Sequence, residues 1–121
     1  MWTYHQRSGR LLRDGHAVGR GYSGDGPAPT DGRNNPAMEA VPDRGPIPRG
    51  HWRIGPPRHS RRVGPHAMDL RPVGHDAHGR TAFMIHGDDA ENDASRGCII
   101  LSRPLRRQII DSGDCELEVV E

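Results

Sequence analysis

A cysteine and a histidine, each beside a glycine, stand close together in the sequence. His86 lies in the segment Ile85–Asp88, and Cys98 follows it by twelve residues in the segment Ser95–Leu101. A thiol becomes an effective nucleophile when a neighbouring base takes its proton, and an imidazole can do so. We therefore expect Cys98 to be a nucleophile and His86 its general base. The alternatives are a buried structural thiol and a histidine that makes one hydrogen bond at a strand end.

The two glycines fit the same interpretation. Gly97 leaves space where a substrate carbonyl would approach, and the N–H groups near Gly97 and Cys98 are expected to face a developing oxyanion. Gly87 is expected to allow close approach of the substrate or of the Cys98 loop. Its alternative role is that of a simple turn glycine.

Five further side chains are candidates for binding a substrate. Asp88 is expected to orient His86 or bind an amine, unless it is a solvated carboxylate. Ser95 is expected to donate a hydrogen bond near the thiol or to shape the loop. Arg96 and Arg103 can hold a carboxylate through the fork of the guanidinium group, or lie exposed. Tyr22 lines a groove or belongs to the core.

The elements that must position these residues are mainly strands. We predict a hairpin with an Asp14-Gly15 turn, a short helix capped by Asn35 that runs through Val41, and a helix from Arg103 to Ser112 that Ser102 caps and Gly113 ends. Loops are predicted at 24–35, 56–65 and 88–95. Strands are predicted at Trp2–Tyr4, Leu11–Arg13, His16–Val18, His51–Ile54, Ala67–Val73, Thr81–Ile85 and Cys115–Val120, with Cys98–Leu101 buried.

Composition favours one compact β domain spanning 1–121. Hydrophobic residues make up 32% of the 121, and Gly and Pro number 16 and 11, which suits many short strands with tight turns. The 17 basic residues, all arginine, nearly balance 16 acidic ones, so the basic excess of a nucleic-acid binder is missing.

Other composition features narrow the functional class. The eight histidines include His75-x-x-His78 but no tight zinc motif, so neither a metal nor a cofactor is expected. Cys115 is expected to be an inert buried thiol. The first residues lack the apolar run of a secretory signal, and no stretch is long enough to span a membrane. We expect synthesis in the cytoplasm without a signal peptide, and a chain that is complete.

Several ordered segments resemble a known family. Ile85-His86-Gly87 followed by Ser95-x-Gly97-Cys98-Ile99 resembles the YkuD-type L,D-transpeptidases, and the nearest likeness is to the compact L,D-transpeptidase-like effectors of type VI secretion. The likeness extends over about residues 2–120 through the segments Gly21–Gly24, Asn34–Met38, Gly45–Gly50, Ile54–Pro57, Gly79–Thr81 and Ser112–Asp114.

This resemblance implies a YkuD-like β sandwich or barrel with one or two short helices. It also implies cysteine acyl transfer on peptidoglycan stem tetrapeptides, with L,D-carboxypeptidase, D-amino-acid exchange or L,D-transpeptidase outcomes. The implied partners are stem peptides, type VI delivery components and a cognate immunity protein, with action in the periplasm of target bacteria as an antibacterial toxin. No nucleic acid and no membrane insertion are implied.

One position departs from the broader family, which has a second histidine directly before the Gly-Cys pair. Here that position is Arg96. Arginine remains protonated and cannot act as a base, so the substitution concentrates that role on His86. The arginine can still bind a carboxylate or favour the thiolate through its charge.

Two other functions remain open from the sequence. One is a non-catalytic β module that binds the cell wall, with a structural Cys98. The other is a cysteine peptidase that acts on ordinary L-peptides. We expect a catalytic Cys98 to be alkylated faster than an ordinary thiol near neutral pH, and a structural one more slowly.

Overall fold

The computed structural model describes residues 1–26, 31–91 and 94–121. Over these residues it is mainly β, as predicted, with a single sheet, one α-helix and two short 3-10 helices. The strands are β1 (Trp2–His5), β2 (Arg10–Arg13), β3 (His16–Arg20), β4 (Tyr22–Ser23), β5 (Gly50–Ser60), β6 (Gly64–Val73), β7 (Met84–His86), β8 (Ile99–Ile100) and β9 (Glu116–Val120). The helix α1 is Arg103–Ser112, and the 3-10 helices are Pro36–Met38 and Ala77–Gly79.

The sheet curls until its two edges nearly meet. Its strand order is β3-β2-β1-β9-β5-β6-β7-β8-β4. The edge strands β3 and β4 are separated in sequence by Gly21 alone, so the sheet forms a nearly closed barrel. A Cβ at Gly21 would lie 1.9 Å from the Ile100 carbonyl oxygen, so only glycine fits this closure.

Local signals placed several elements correctly. Asp14 and Gly15 form the predicted hairpin turn with φ of 48° and 84°. The side chain of Ser102 accepts a hydrogen bond from the third residue of α1, and Gly113 ends the helix at a φ of 68°. Asn35 caps a short helix as predicted, but that helix ends at Met38 instead of Val41.

The predicted loop over 56–65 is wrong. The chain continues as β5 to Ser60 and returns as β6 from Gly64, forming a long antiparallel hairpin. The register shifts between Ile54 and Pro57 and again between Arg58 and Ser60. The first shift accommodates Pro56 and Pro57, which have no N–H to donate to a neighbouring strand. A bidentate ion pair between Arg58 and Asp69, with N–O distances of 2.9 and 3.0 Å, links the two strands in the exposed part of this hairpin.

The predicted strand over 81–85 is right only at its end. Ala82 has a φ of +65°, which breaks the extended backbone, so β7 begins at Met84. His86 is the last residue of β7, as predicted.

Two hydrophobic clusters lie on opposite faces of β7 and β8. Ile85 and Ile99 belong to the main core. Met84, Cys98 and Ile100 belong to a smaller cluster with Tyr22 and Ala67. Alternation along the strands therefore directs Cys98 away from the main core.

The loops predicted at 24–35 and 88–95 include residues 27–30 and 92–93, which lie outside the described residues. The only α-helix in the described ranges has ten residues, and neither it nor the shorter helices could cross a membrane.

Candidate active site

The strands β7 and β8 bring Cys98 and His86 to one side of the sheet. They pair in parallel, with Ile85 opposite Ile99 and His86 opposite Ile100. Cys98 immediately precedes β8, and its side chain shares a cluster with Met84, two residues before His86 on the same face of β7. Cys98 and His86 both line a cavity of about 630 Å³.

The tautomer of His86 follows from its hydrogen bond. Nδ1 lies 2.8 Å from the carbonyl oxygen of Gly87. Because a carbonyl oxygen only accepts, Nδ1 must carry the hydrogen, and in the neutral ring Nε2 retains its lone pair. The orienting role that the sequence offered to Asp88 therefore belongs to a backbone carbonyl.

Burial keeps the resting thiol and imidazole neutral. It lowers the pKa of His86, with the positive charges of Arg106 and Arg62 acting in the same direction against the raising effect of the Gly87 hydrogen bond. It raises the pKa of the Cys98 thiol, although the backbone N–H of Met84 and the charge of Arg62 oppose this rise. The pair therefore rests as thiol and neutral base, which is the state required for proton transfer during attack.

The kink at Ala82 contributes to the thiol's surroundings. The Cys98 Sγ donates to the Ala82 carbonyl oxygen at 3.7 Å. Ala82, whose positive φ keeps β7 short, therefore also supplies the backbone carbonyl that accepts from the thiol.

The hydroxyl of Ser95 stabilises the Cys98 loop through three hydrogen bonds. Its buried hydroxyl donates to the Cys98 carbonyl oxygen at 2.6 Å and accepts from the N–H of Gly24 at 2.9 Å and of Gly97 at 3.2 Å. Ser95 therefore donates a hydrogen bond beside the nucleophile and also shapes its loop, which are the two roles that the sequence offered. The expected oxyanion donors also need correction, because the Gly97 N–H is already engaged, which leaves that of Cys98 as the candidate.

Gly97 is required by its backbone and by its neighbours. Its φ is +133°, and a Cβ there would lie 2.5 Å from Nη2 of Arg80. Arg80 is buried and donates to four carbonyl oxygens, including that of Arg96 at 3.2 Å. Arg80 therefore ties the cysteine loop to the segment 39–46. The sequence did not predict this role for Arg80. Arg80 appeared there only as part of the segment Gly79–Thr81, which contributes to the family resemblance.

Replacing Gly97 with alanine should lower the free energy of unfolding by about 3 kcal/mol or more, because the new Cβ meets Arg80 in a backbone conformation that L-residues avoid. Gly74→Ala is the matched control: Gly74 also has positive φ, 78°, but a Cβ there meets nothing within 4 Å. That control should lose only about 1 kcal/mol. Denaturant unfolding of both variants measures the difference, and equal losses would contradict the packing argument.

Gly87 lines the cavity and also admits a buried arginine. A Cβ at Gly87 would lie 2.8 Å from Nη2 of Arg106. Arg106 is held by the carbonyl oxygens of Leu101 at 3.1 Å and Pro65 at 2.9 Å. The absence of a side chain at Gly87 thus lets the guanidinium of Arg106 support the turn that follows His86.

Tyr22 and Asp88 form a pair at the cavity. The Tyr22 hydroxyl donates to Oδ1 of Asp88 at 2.6 Å and accepts from the Ala94 N–H at 2.9 Å. Asp88 lines the cavity, whereas Tyr22 is buried in the small cluster and also lines a smaller pocket that Asp88 and Arg103 share. Burial, then the hydrogen bond to Asp88, raises the pKa of Tyr22, so its hydroxyl remains a donor.

The two arginine candidates lie in different places. Arg96 is exposed and lines the cavity, whereas Arg103 is outside it, with Nη2 3.4 Å from Nε2 of His66. The cavity lining also holds Arg62 and the carboxylates Asp43 and Asp89. Only the folding of distant segments brings these charges together.

The two histidines of the His75-x-x-His78 pattern make ordinary contacts. His75 Nε2 lies 3.0 Å from the His51 carbonyl oxygen, and His78 Nε2 lies 3.0 Å from Oε2 of Glu39. Within residues 1–26, 31–91 and 94–121, no group of three or more His, Cys, Asp or Glu side chains is placed to hold a metal ion.

The two cysteines differ in burial, and both are free. Cys115 precedes β9 and is partly exposed, so its predicted burial is wrong.

We expect Cys115 to be alkylated before Cys98 at neutral pH, by roughly tenfold or more in rate, because burial both shields Cys98 and raises its pKa. Peptide mapping after timed iodoacetamide treatment measures the order, and faster alkylation of Cys98 would contradict the neutral resting pair. A catalytic Cys98 and a structural Cys98 would therefore both be alkylated slowly, and the alkylation rate cannot distinguish the two roles.

Comparison with known proteins places this chain in a family. Among curated proteins no match was found. The family model described as the Tlde1 domain matches residues 18–116, a range that runs from within β3 to the first residue of β9 and includes both Cys98 and His86. The chain therefore belongs to the Tlde1-domain family of type VI secretion effectors.

Proposed function

We propose that this effector is an enzyme that transfers acyl groups from peptidoglycan stem tetrapeptides through a Cys98 thioester. The observation that carries the proposal is the placement of Cys98 and His86 on one cavity, with the Nε2 lone pair of His86 left unprotonated by the Gly87 hydrogen bond. Membership of a family resembling L,D-transpeptidases supplies the substrate class.

The proposed reaction has two halves. In the first, His86 Nε2 takes the Cys98 proton, Sγ bonds to the carbonyl carbon of the diamino acid, and the bond to D-alanine breaks. His86 returns the proton to the departing amine, and the Cys98 N–H stabilises the oxyanion. In the second, an incoming nucleophile attacks the thioester, His86 takes its proton, and the thiol is restored.

The incoming nucleophile sets the outcome. Water gives L,D-carboxypeptidase activity, a free D-amino acid gives exchange, and an amine of another stem gives a cross-link. The first two outcomes remove the tetrapeptide donors that a cell needs for L,D-cross-links. Action in the periplasm of a target bacterium would then be antibacterial, and the producing cell would need an immunity protein.

Mass spectrometry of disaccharide-tetrapeptide incubated with the protein tests this function. We expect loss of D-alanine, or its replacement when a D-amino acid is added. A folded protein that leaves the tetrapeptide unchanged under both conditions would contradict the proposal and favour a wall-binding module. Cleavage of ordinary L-peptides alone would favour a cysteine peptidase of other specificity.

A further inference from the structure

The tip of the β5–β6 hairpin is fixed against the cluster that contains the nucleophile. The buried hydroxyl of Ser60 accepts hydrogen bonds from the N–H of Arg62 at 3.2 Å and of Val63 at 3.3 Å. The Val63 side chain packs against the cluster of Cys98. The backbone at Arg62 is therefore anchored beside the proposed active site, even though it belongs to a turn.

Arg62 directs its charge into the cavity. Its side chain is exposed and lines the same cavity as Cys98 and His86. Its charge favours the thiolate of Cys98 and disfavours the imidazolium of His86, so it acts on both reacting groups.

Two of the other arginines whose charges act on these groups are already engaged. Arg80, which acts on Cys98, donates to four carbonyl oxygens, and Arg106, which acts on His86, donates to two. Within the described part of the chain, no carboxylate lies at ion-pair distance from Arg62. Its guanidinium thus presents its donors to whatever occupies the cavity.

We infer that Arg62 binds the free carboxylate of the amino acid that the reaction releases, and so restricts cleavage to the last peptide bond of the substrate. This inference rests on the proposed function. The leaving amine must receive a proton from His86, and the carboxylate of a terminal residue is attached to the same α-carbon as that amine. Because Arg62 acts on both the thiol and the imidazole, its guanidinium is placed to contact this carboxylate. An internal peptide bond has no negative charge at the same position.

The experiment compares kcat/KM for a stem tetrapeptide and for its C-terminal amide. We expect the wild-type protein to prefer the free acid by about 10- to 100-fold, as for a hydrogen-bonded charged pair. Arg62→Gln should lower kcat/KM for the acid by that factor more than it lowers kcat/KM for the amide, so that the preference is lost. Arg62→Lys should restore part of it, because charge returns without the fork.

Two arginines of this chain serve as controls. Arg61 is exposed and adjacent but does not line the cavity, so Arg61→Gln should keep the wild-type preference. Arg96 lines the cavity, so Arg96→Gln tests the competing assignment. Retention of the preference by active Arg62→Gln, or its loss in Arg96→Gln instead, would overturn the inference alone. Absence of wild-type turnover of both peptides would overturn the proposed function and this inference with it.

Discussion

Replacing Cys98 with alanine should abolish release of D-alanine from stem tetrapeptides, with kcat falling on the order of 10⁴-fold or more, as for other enzymes that lose their nucleophile. The reason is that no thioester can form without Sγ. Mass spectrometry of the products, with a detection limit below this residual rate, measures the effect. Because Cys98 is a small buried residue beside Ala67 in its cluster, alanine leaves only a modest cavity.

Cys115 provides the matched control. Its Sγ lies 3.7 Å from the Gly113 carbonyl oxygen at the end of α1, and it is outside the cavity. Cys115→Ala should therefore retain wild-type kcat. Turnover that persists in Cys98→Ala, or that disappears equally in Cys115→Ala, would contradict the assignment of the nucleophile.

Replacing His86 with glutamine should lower kcat/KM by about 10²- to 10⁴-fold, the usual contribution of a general base. Glutamine can still donate to the Gly87 carbonyl oxygen but cannot take a proton from the thiol. Kinetics across pH measure both the loss and its cause.

The pH profile has a defined direction. Burial lowers the pKa of His86 below its ordinary value of 6.5, so the neutral base persists to more acidic pH. Wild-type kcat/KM should therefore rise with pH through a value below 6.5 and then level off, and His86→Gln should lose this limb. His59→Gln, an exposed change outside the cavity, should keep it. An acidic limb centred above pH 7, or one retained in His86→Gln, would contradict the assignment of the base.

The sequence predicted the features that short-range chemistry determines. The Asp14-Gly15 turn, the Ser102 cap and the Gly113 stop each depend on a few adjacent residues. The same holds for a strand that ends at His86. These local rules placed the candidate base at a strand end, whereas the pairing of β7 with β8 brings it to the side of the sheet that holds Cys98.

The sequence could not predict contacts between distant segments. Arg80 reaches carbonyl oxygens as far away as Glu39, 41 positions earlier, and Arg62 meets the cavity only because β5 and β6 form a longer hairpin than predicted. The engagement of the Gly97 N–H by Ser95 is likewise a product of loop geometry. Prolines in β5 misled the prediction because register shifts accommodate them.

Trapping the acyl-enzyme tests the central claim most directly. Acid quenching of the protein during turnover of a stem tetrapeptide, followed by intact-mass and peptide mass spectrometry, should reveal an adduct equal to the substrate minus D-alanine. The account predicts that this adduct is on the peptide containing Cys98 and is missing from Cys98→Ala. An adduct on another residue, or release of D-alanine by Cys98→Ala at the wild-type rate, would contradict it.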